Sequence, residues 1–224
     1  INYTKDILEK IHFASCSEEK DRYLYDLLAF LISSSNDIAQ KGDIYEAAGR
    51  LYSAAYYMEE FHPIEAQEIY QEANKYYIKY FDQKIKTGNF NEASNLALKI
   101  ATIYSDKLQA PLEEKKYLKK AIDLIQEQIE ILSTLGSSKE LCGKYQTLAI
   151  LYNKSQNWQK VIETSQKTIG YAKIIYDYSA IANAYHDIGD VHIILKEHDK
   201  VKNVYLQAID FFLKEAQKYL DGQK

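Results

Sequence analysis

An all-α chain is what this sequence predicts: about ten helices running back and forth as antiparallel hairpins. Three observations carry that expectation. Of 224 residues only two are proline and eight glycine, too little punctuation for the turns of a strand-rich fold. Ala, Leu, Glu, Lys and Gln, the strong helix formers, recur along the whole chain. Apolar positions return at helical spacing, and no segment keeps a period of two.

The elements follow in order from their stop and start signals. A first helix is expected over 3–15 and a second over 19–41, where Lys41-Gly42-Asp43 ends it. A third over 43–60 runs to His62-Pro63, and proline suits the first turn of the next, 63–87. Thr87-Gly88-Asn89 closes that helix with a glycine and opens 89–108 with an asparagine cap. Ala110-Pro111 opens 111–135, whose stripe Leu118, Ile122, Ile125, Ile129 and Leu132 has Lys and Glu between its members. Gly136-Ser137-Ser138, Gln156-Asn157, Asp177 and Glu197-His198 then delimit 138–155, 157–176, 178–196 and 198–220.

These helices repeat. Residues 145–168 place Tyr145, Leu148, Ala149 and Tyr152 on one helix and Trp158, Val161 and Thr168 on the next. The same template at 185–208 reads Tyr185, Ile188, Gly189 and His192, then His198, Val201, Tyr205 and Ala208. Ala149 and Gly189 stand forty residues apart, against about 34 for a tetratricopeptide unit, so the helices are longer than usual. Partial matches to the second helix of such a hairpin recur at Tyr45-Glu46-Ala47-Ala48 with Leu51 and Ala54, and at Gly88-Asn89-Phe90 with Ala93 and Ala97. A hairpin of this kind buries its apolar face only by stacking on its neighbours. The expected architecture is therefore a right-handed superhelical solenoid of tetratricopeptide-like hairpins, one elongated domain over 1–224. The 21 tyrosines fall largely at repeat positions (Tyr52, Tyr76, Tyr77, Tyr104, Tyr152, Tyr185, Tyr205), where a ring fills a groove and its hydroxyl reaches the edge.

Chemistry is sparse. His186 and His192 lie six apart and face away from each other on a helix, and no zinc-ligand spacing is present. His12, His62 and His198 read as surface or repeat-core residues. Cys16 and Cys142 are far apart and match no redox or metal motif, which suits buried thiols in a reduced, intracellular compartment. No nucleophile elbow, phosphate loop or H-E-x-x-H string occurs, and adjacent carboxylates such as Glu59-Glu60 and Glu113-Glu114 diverge on a helix. No enzyme, cofactor or metal is expected. With a net charge of −4 and scattered basic residues, nucleic acid is not an expected partner. No apolar run reaches the roughly 18 residues of a membrane span, Tyr23–Ile32 being too short. The chain opens at Ile1 and reads as a fragment or processed piece.

One cluster stands out. Lys115, Lys116, Lys119 and Lys120 occupy i, i+1, i+4 and i+5, which gathers them on one helical side. Such a stripe is the usual solvated back of an amphipathic helix, and it also suits an acidic partner. A carboxylate clamp for a peptide C-terminus is disfavoured, since the only arginines are Arg22 and Arg50.

The order of three strings carries a family resemblance. They are YEAAGRLYSAAYYMEEFHPIEAQEIYQEANKYY, TGNFNEASNLALKIATIYSDKLQAPLEEKKYLKKAIDL and YQTLAILYNKSQNWQKVIETSQKTI. With Pro63-Ile64-Glu65-Ala66, Gly88-Asn89-Phe90, Ile100-Ala101-Thr102-Ile103-Tyr104 and Trp158-Gln159-Lys160, they resemble the central repeats of the soluble NSF attachment proteins, the SNAP family, over about residues 40–210. That resemblance implies an adaptor in membrane trafficking, cytoplasmic and peripheral to membranes. Such an adaptor lays basic side chains along a SNARE-like helical bundle and recruits an NSF-like AAA ATPase. The family's bundle-facing lysines fall at Asn95 and Gly143 here, and Lys99 and Lys144 are the nearest basic residues. The family's phenylalanine loop has no counterpart in Ile1–Ser15, and its acidic C-terminal segment none before Lys224. The contacts expected on this basis are Lys99, Lys115, Lys116, Lys119, Lys120 and Lys144. The alternative is a general tetratricopeptide scaffold that takes an extended peptide between the first helices of its hairpins.

Overall fold

The computed structural model describes Lys10 and residues 17–222. The expected helix over 3–15, with His12 and Cys16, lies outside the described residues, as do Gln223 and Lys224. Among the described residues there are nine helices and no strand. They are α1 (Ser17–Gln40), α2 (Ile44–Met58), α3 (Pro63–Lys86), α4 (Phe90–Asp106), α5 (Pro111–Leu135), α6 (Ser138–Lys154), α7 (Trp158–Ile175), α8 (Tyr178–Ile194) and α9 (His198–Asp221). Turns of two to four residues join them. The fold class is all-helical, built of tetratricopeptide-like hairpins, and each helix starts within two residues of its expected position.

Helix starts are fixed by short polar side chains. Asp43 accepts a hydrogen bond from the Glu46 amide at 3.0 Å, Asn89 from Glu92 at 3.2 Å, Asn157 from Lys160 at 3.4 Å and Asp177 from Ala180 at 2.9 Å. Pro63 takes the first turn of α3, where its missing N–H leaves nothing unpaired. Helix stops use the left-handed region. Gly42, Gly88 and Gly136 adopt φ of +97°, +69° and +72°, and Gln109, Gln156, Tyr176 and Lys196 adopt +48° to +59°. The last three sit at twenty-residue intervals, half of the forty-residue hairpin.

The contacts divide the chain into two compact units, one ending at Tyr117 and one beginning at Leu118, both inside α5. In the N-terminal unit α2 packs more extensively on α3 than on α1. The Tyr45–Ala54 stretch, expected as a second helix, is therefore the first helix of a hairpin. Its small residues Ala47, Ala48, Ala54 and Ala55 are fully buried, so the backbones approach closely. The core gathers Leu27, Leu31, Leu51, Met58, Ile69 and Tyr70. In the C-terminal unit α6–α7 and α8–α9 form two tight hairpins, and Cys142, Ile169, Ala172, Ile181, Ala184 and Ile188 share a core. Burial raises the Cys142 thiol, aided by the Asp177 carboxylate, which leaves it an inert core thiol. Gly189 sits where α8 crosses α9: a Cβ there would lie 2.7 Å from the Tyr205 ring.

Candidate protein-interaction surfaces

Two grooves open in the C-terminal unit. The first, about 450 Å³, lies between α5 and α7 over a floor of Tyr145, Leu148 and Tyr152 from α6. The second, about 570 Å³, lies between α7 and α9 over Tyr185, Ile188 and His192 from α8. Both floors are the repeat positions legible in the sequence. The location differs from the expected one: the openings lie beside second helices such as α7 and α9, with a first helix as the floor. Small residues let a first helix sit deep between its neighbours, and the side chains it presents fill only the bottom of the space.

Polar groups line the upper walls. In the first groove Gln126 donates to the Tyr152 hydroxyl at 3.0 Å. The Lys167 ammonium stands 3.5 Å from the Tyr145 hydroxyl and 5.1 Å over its ring, which stacks on Tyr171 at 5.5 Å. Lys160 pairs with Glu163 at 2.7 Å, and Glu163 is held below its ordinary value by that lysine. In the second groove Nδ1 of the nearly buried His192 meets Glu197 at 2.6 Å. Lys200 reaches the same carboxylate at 3.1 Å, and Lys200 and His192 together hold Glu197 low. Glu197 begins α9 without a side-chain cap, its carboxylate being committed to this cluster. Gln159 and Gln166 are exposed on the α7 wall.

The lysines singled out in the sequence have unequal surroundings. Lys115, Lys116 and Lys119 are exposed on α5 and Lys120 is half-buried. Lys116 pairs with Glu113 at 2.8 Å and lies 5.6 Å over the Tyr117 ring. Lys115 and Lys116 belong to the N-terminal unit, Lys119 and Lys120 to the C-terminal one. Lys99 on α4 is half-buried, 4.3 Å over the Tyr77 ring and 5.1 Å over Tyr45. Burial works against its charge, and the Tyr77 and Tyr45 hydroxyls outweigh that, so its pKa is raised. Lys144 is half-buried on α6, and burial lowers its pKa.

Sequence reading missed the pairing of lysine with tyrosine. Besides Lys99, Lys84 lies 4.6 Å over Tyr80 and pairs with Glu92 at 2.7 Å. Lys107 lies 5.2 Å over Tyr70 and pairs with Glu59, which Tyr70 also meets at 3.0 Å. Lys107 holds Glu59 low, whereas burial and then Glu59 push the Tyr70 phenol up. Lys84 and Tyr80 share α3 at a four-residue spacing that the sequence does announce. Lys99 and Lys107 reach tyrosines of other helices, and no spacing announces those pairs. Among the described residues no group of three or more His, Cys, Asp or Glu converges as a metal site, and no helix is long and apolar enough to cross a membrane. His186 instead lies 3.4 Å from Asp190 and edge-on to Tyr205.

No protein-family model matches the chain, and no curated protein does. Similar solved structures include BtubC (BKLC) from P. vanneervenii, 12% identical over 96% of this chain and 91% of that one, with a TM-score of 0.48. Nearly identical TPR-like repeats of a kinesin-light-chain candidate from Podosopora anserina are 14% identical over 84% and 96%, at 0.49. A circular tandem repeat protein with novel repeat topology is 13% identical over 99% and 59%, at 0.39. These values bear on no binding property of the chain.

Proposed function

We propose that this chain is a protein-interaction scaffold that holds an extended peptide segment of a partner along the grooves flanking α7. The carrying observation is the pair of open grooves on the two sides of one helix, each with a repeat-built floor and hydrogen-bonding groups on its walls. An extended peptide brings unpaired N–H and C=O groups, and Gln126, Gln159, Gln166 and Ser133 offer donors and acceptors for them. In the first groove Lys160 and Lys167 are balanced by Glu130 and Glu163, which favours a peptide of little net charge. Peptides selected by display against the full chain provide the probe. Ser133→Trp and Gln166→Trp, at exposed groove positions, are expected to weaken the selected peptide by about tenfold or more. Lys115→Glu with Lys119→Glu leaves it unchanged. The reverse pattern sinks the groove reading.

A second reading rests on Lys115, Lys116 and Lys119 exposed on one side of α5. It is the trafficking adaptor implied by the family resemblance, which docks a SNARE-like bundle, recruits an NSF-like AAA ATPase, and works in the cytoplasm at the periphery of membranes. In it the α5 lysines carry the contact, because Lys99 is occupied by Tyr45 and Tyr77. Failure to retain a four-helix SNARE bundle at low salt would remove this reading and leave the first standing.

A further inference from the structure

The two grooves differ at one repeat position. Tyr152 on the floor of the first and His192 on the floor of the second stand forty residues apart, as do Gln126 and Gln166 on the walls. In the first groove Gln126 donates to the Tyr152 hydroxyl, so the two groups satisfy each other within the chain. In the second groove that pair is broken. His192, only 8% exposed, gives Nδ1 to Glu197 at 2.6 Å. Among the described residues nothing bonds its Nε2 or the Gln166 amide, and both residues line the groove. Glu197 forgoes a cap to make this contact. Its counterpart forty residues earlier, Asn157, caps α7, and Asp43, Asn89 and Asp177 cap other helices, whereas the Glu197 side chain caps nothing. Lys200 at 3.1 Å and His192 hold Glu197 low, so it stays ionised. An ionised carboxylate only accepts, so Nδ1 carries the proton and Nε2 of the neutral ring is a bare acceptor.

On the reading that these grooves hold a peptide, we infer that His192 Nε2 and the Gln166 amide are the recognition point of the second groove, and that they take an amide of the partner segment. The N–H of that amide donates to Nε2, and its C=O accepts from the Gln166 NH2. Ile162, Ile169, Ile188 and Val204 line the same groove, so the amide is flanked by apolar side chains of the segment. The first groove has no such point, because Tyr152 and Gln126 are already paired. Recognition through Nε2 also carries a pH dependence. Of the residues lining the second groove, those that titrate are Tyr185, His192, Glu197 and Lys200, and α7 contributes none. Imidazole is the side-chain group that ordinarily gains a proton between about pH 8 and 5.5. Once protonated, Nε2 is a donor and opposes the N–H it had received. The segment is held at neutral pH and released in mild acid.

Histidine-free peptides selected by display against the full chain, and lost with Gln166→Trp, are the probe. Peptides lost with Ser133→Trp are the control, because no histidine lines the first groove. From pH 8 to pH 5.5 the second-groove peptides are expected to weaken by about tenfold or more, and the control peptides to stay within about twofold. His192→Gln keeps an acceptor that gains no proton, and it flattens the profile at unchanged helical signal. N-methylation of each peptide amide in turn, beside replacement of any peptide Asn or Gln by Ala, tells a backbone amide from a side-chain one. The change that removes the recognised amide costs about tenfold at pH 8 and abolishes the pH dependence. A flat profile in the unaltered chain overturns the inference and leaves the groove reading standing. So does a steep profile that survives His192→Gln, or a peptide indifferent to every amide change. If no selected peptide is lost with Gln166→Trp, the inference falls together with the second groove's part in that reading.

Discussion

At the scale of single residues, glycine separates packing from propensity. Gly189 and Gly170 both lie inside helices, and their surroundings are opposite. A Cβ at Gly189 would stand 2.7 Å and 2.9 Å from ring atoms of Tyr205. That ring is tethered, because its hydroxyl donates a hydrogen bond to Asp190, which raises the phenol to about 12. Gly189→Ala must displace the ring or bend the α8–α9 crossing, and overpacking of this kind costs about 1–3 kcal/mol. At Gly170 nothing lies within 4 Å of the added atom, so Gly170→Ala brings only the helix preference for alanine, a gain of about 0.5–1 kcal/mol. Urea unfolding of the two variants should move the midpoint in opposite directions. A loss at both positions would show that the Tyr205 contact is not what reserves Gly189. The same residue scale explains why tyrosine is so common here. Tyr70, Tyr145 and Tyr152 each bury a ring while the hydroxyl finds a carboxylate, a lysine or an amide at the edge.

At the scale of elements, the turns carry the order of the fold and a removable strain. Gln156, Tyr176 and Lys196 end α6, α7 and α8 in the left-handed region at φ of 56°, 56° and 59°. That conformation costs a residue with a side chain roughly 1–2 kcal/mol, part of which glycine recovers after its own loss of chain entropy. Gln156→Gly and Lys196→Gly are each expected to stabilise the chain by about 0.5–1 kcal/mol, and to add when combined, because the two turns are separate. Thermal melts of the single and double variants check this, and an unchanged melting temperature in the double variant would count against strain at these turns. Helix order and bounds were legible because four turns write a polar cap into the sequence, Asp43, Asn89, Asn157 and Asp177 each holding the amide three residues on, and two more place proline at the next helix start, Pro63 and Pro111. The paired floors were legible too, since Tyr145 and Tyr185, or Leu148 and Ile188, recur at one spacing. The pairing phase of the N-terminal hairpins was not. Small residues mark a close approach without saying which neighbour approaches, so Ala47 and Ala54 suit either helix of a hairpin. The grooves were illegible for a related reason: they are spaces between helices, set by how far the neighbours of α6 and α8 stand apart.

At the scale of the whole molecule, charge decides between the two readings of what is held. The chain carries −4, so an acidic partner is repelled on average and must be drawn by a local patch. If the α5 lysines form that patch, they do so while exposed and surrounded by salt. The screening length shrinks from about 10 Å at 0.1 M to about 3 Å at 1 M. Affinity for an acidic helical partner should then fall by about tenfold or more between low and high salt, and Lys115→Glu with Lys119→Glu should remove most of that dependence. A peptide in the grooves behaves otherwise. Its contacts are a repeat-built floor and amide or hydroxyl groups, with Lys160 and Lys167 offset by Glu130 and Glu163, so its affinity should change by no more than about two- to threefold over the same range. Anisotropy titrations of one labelled partner across salt, with and without the α5 substitutions, read both slopes directly. A flat response that survives the lysine changes assigns the held segment to the grooves; a steep one abolished by them moves it to α5.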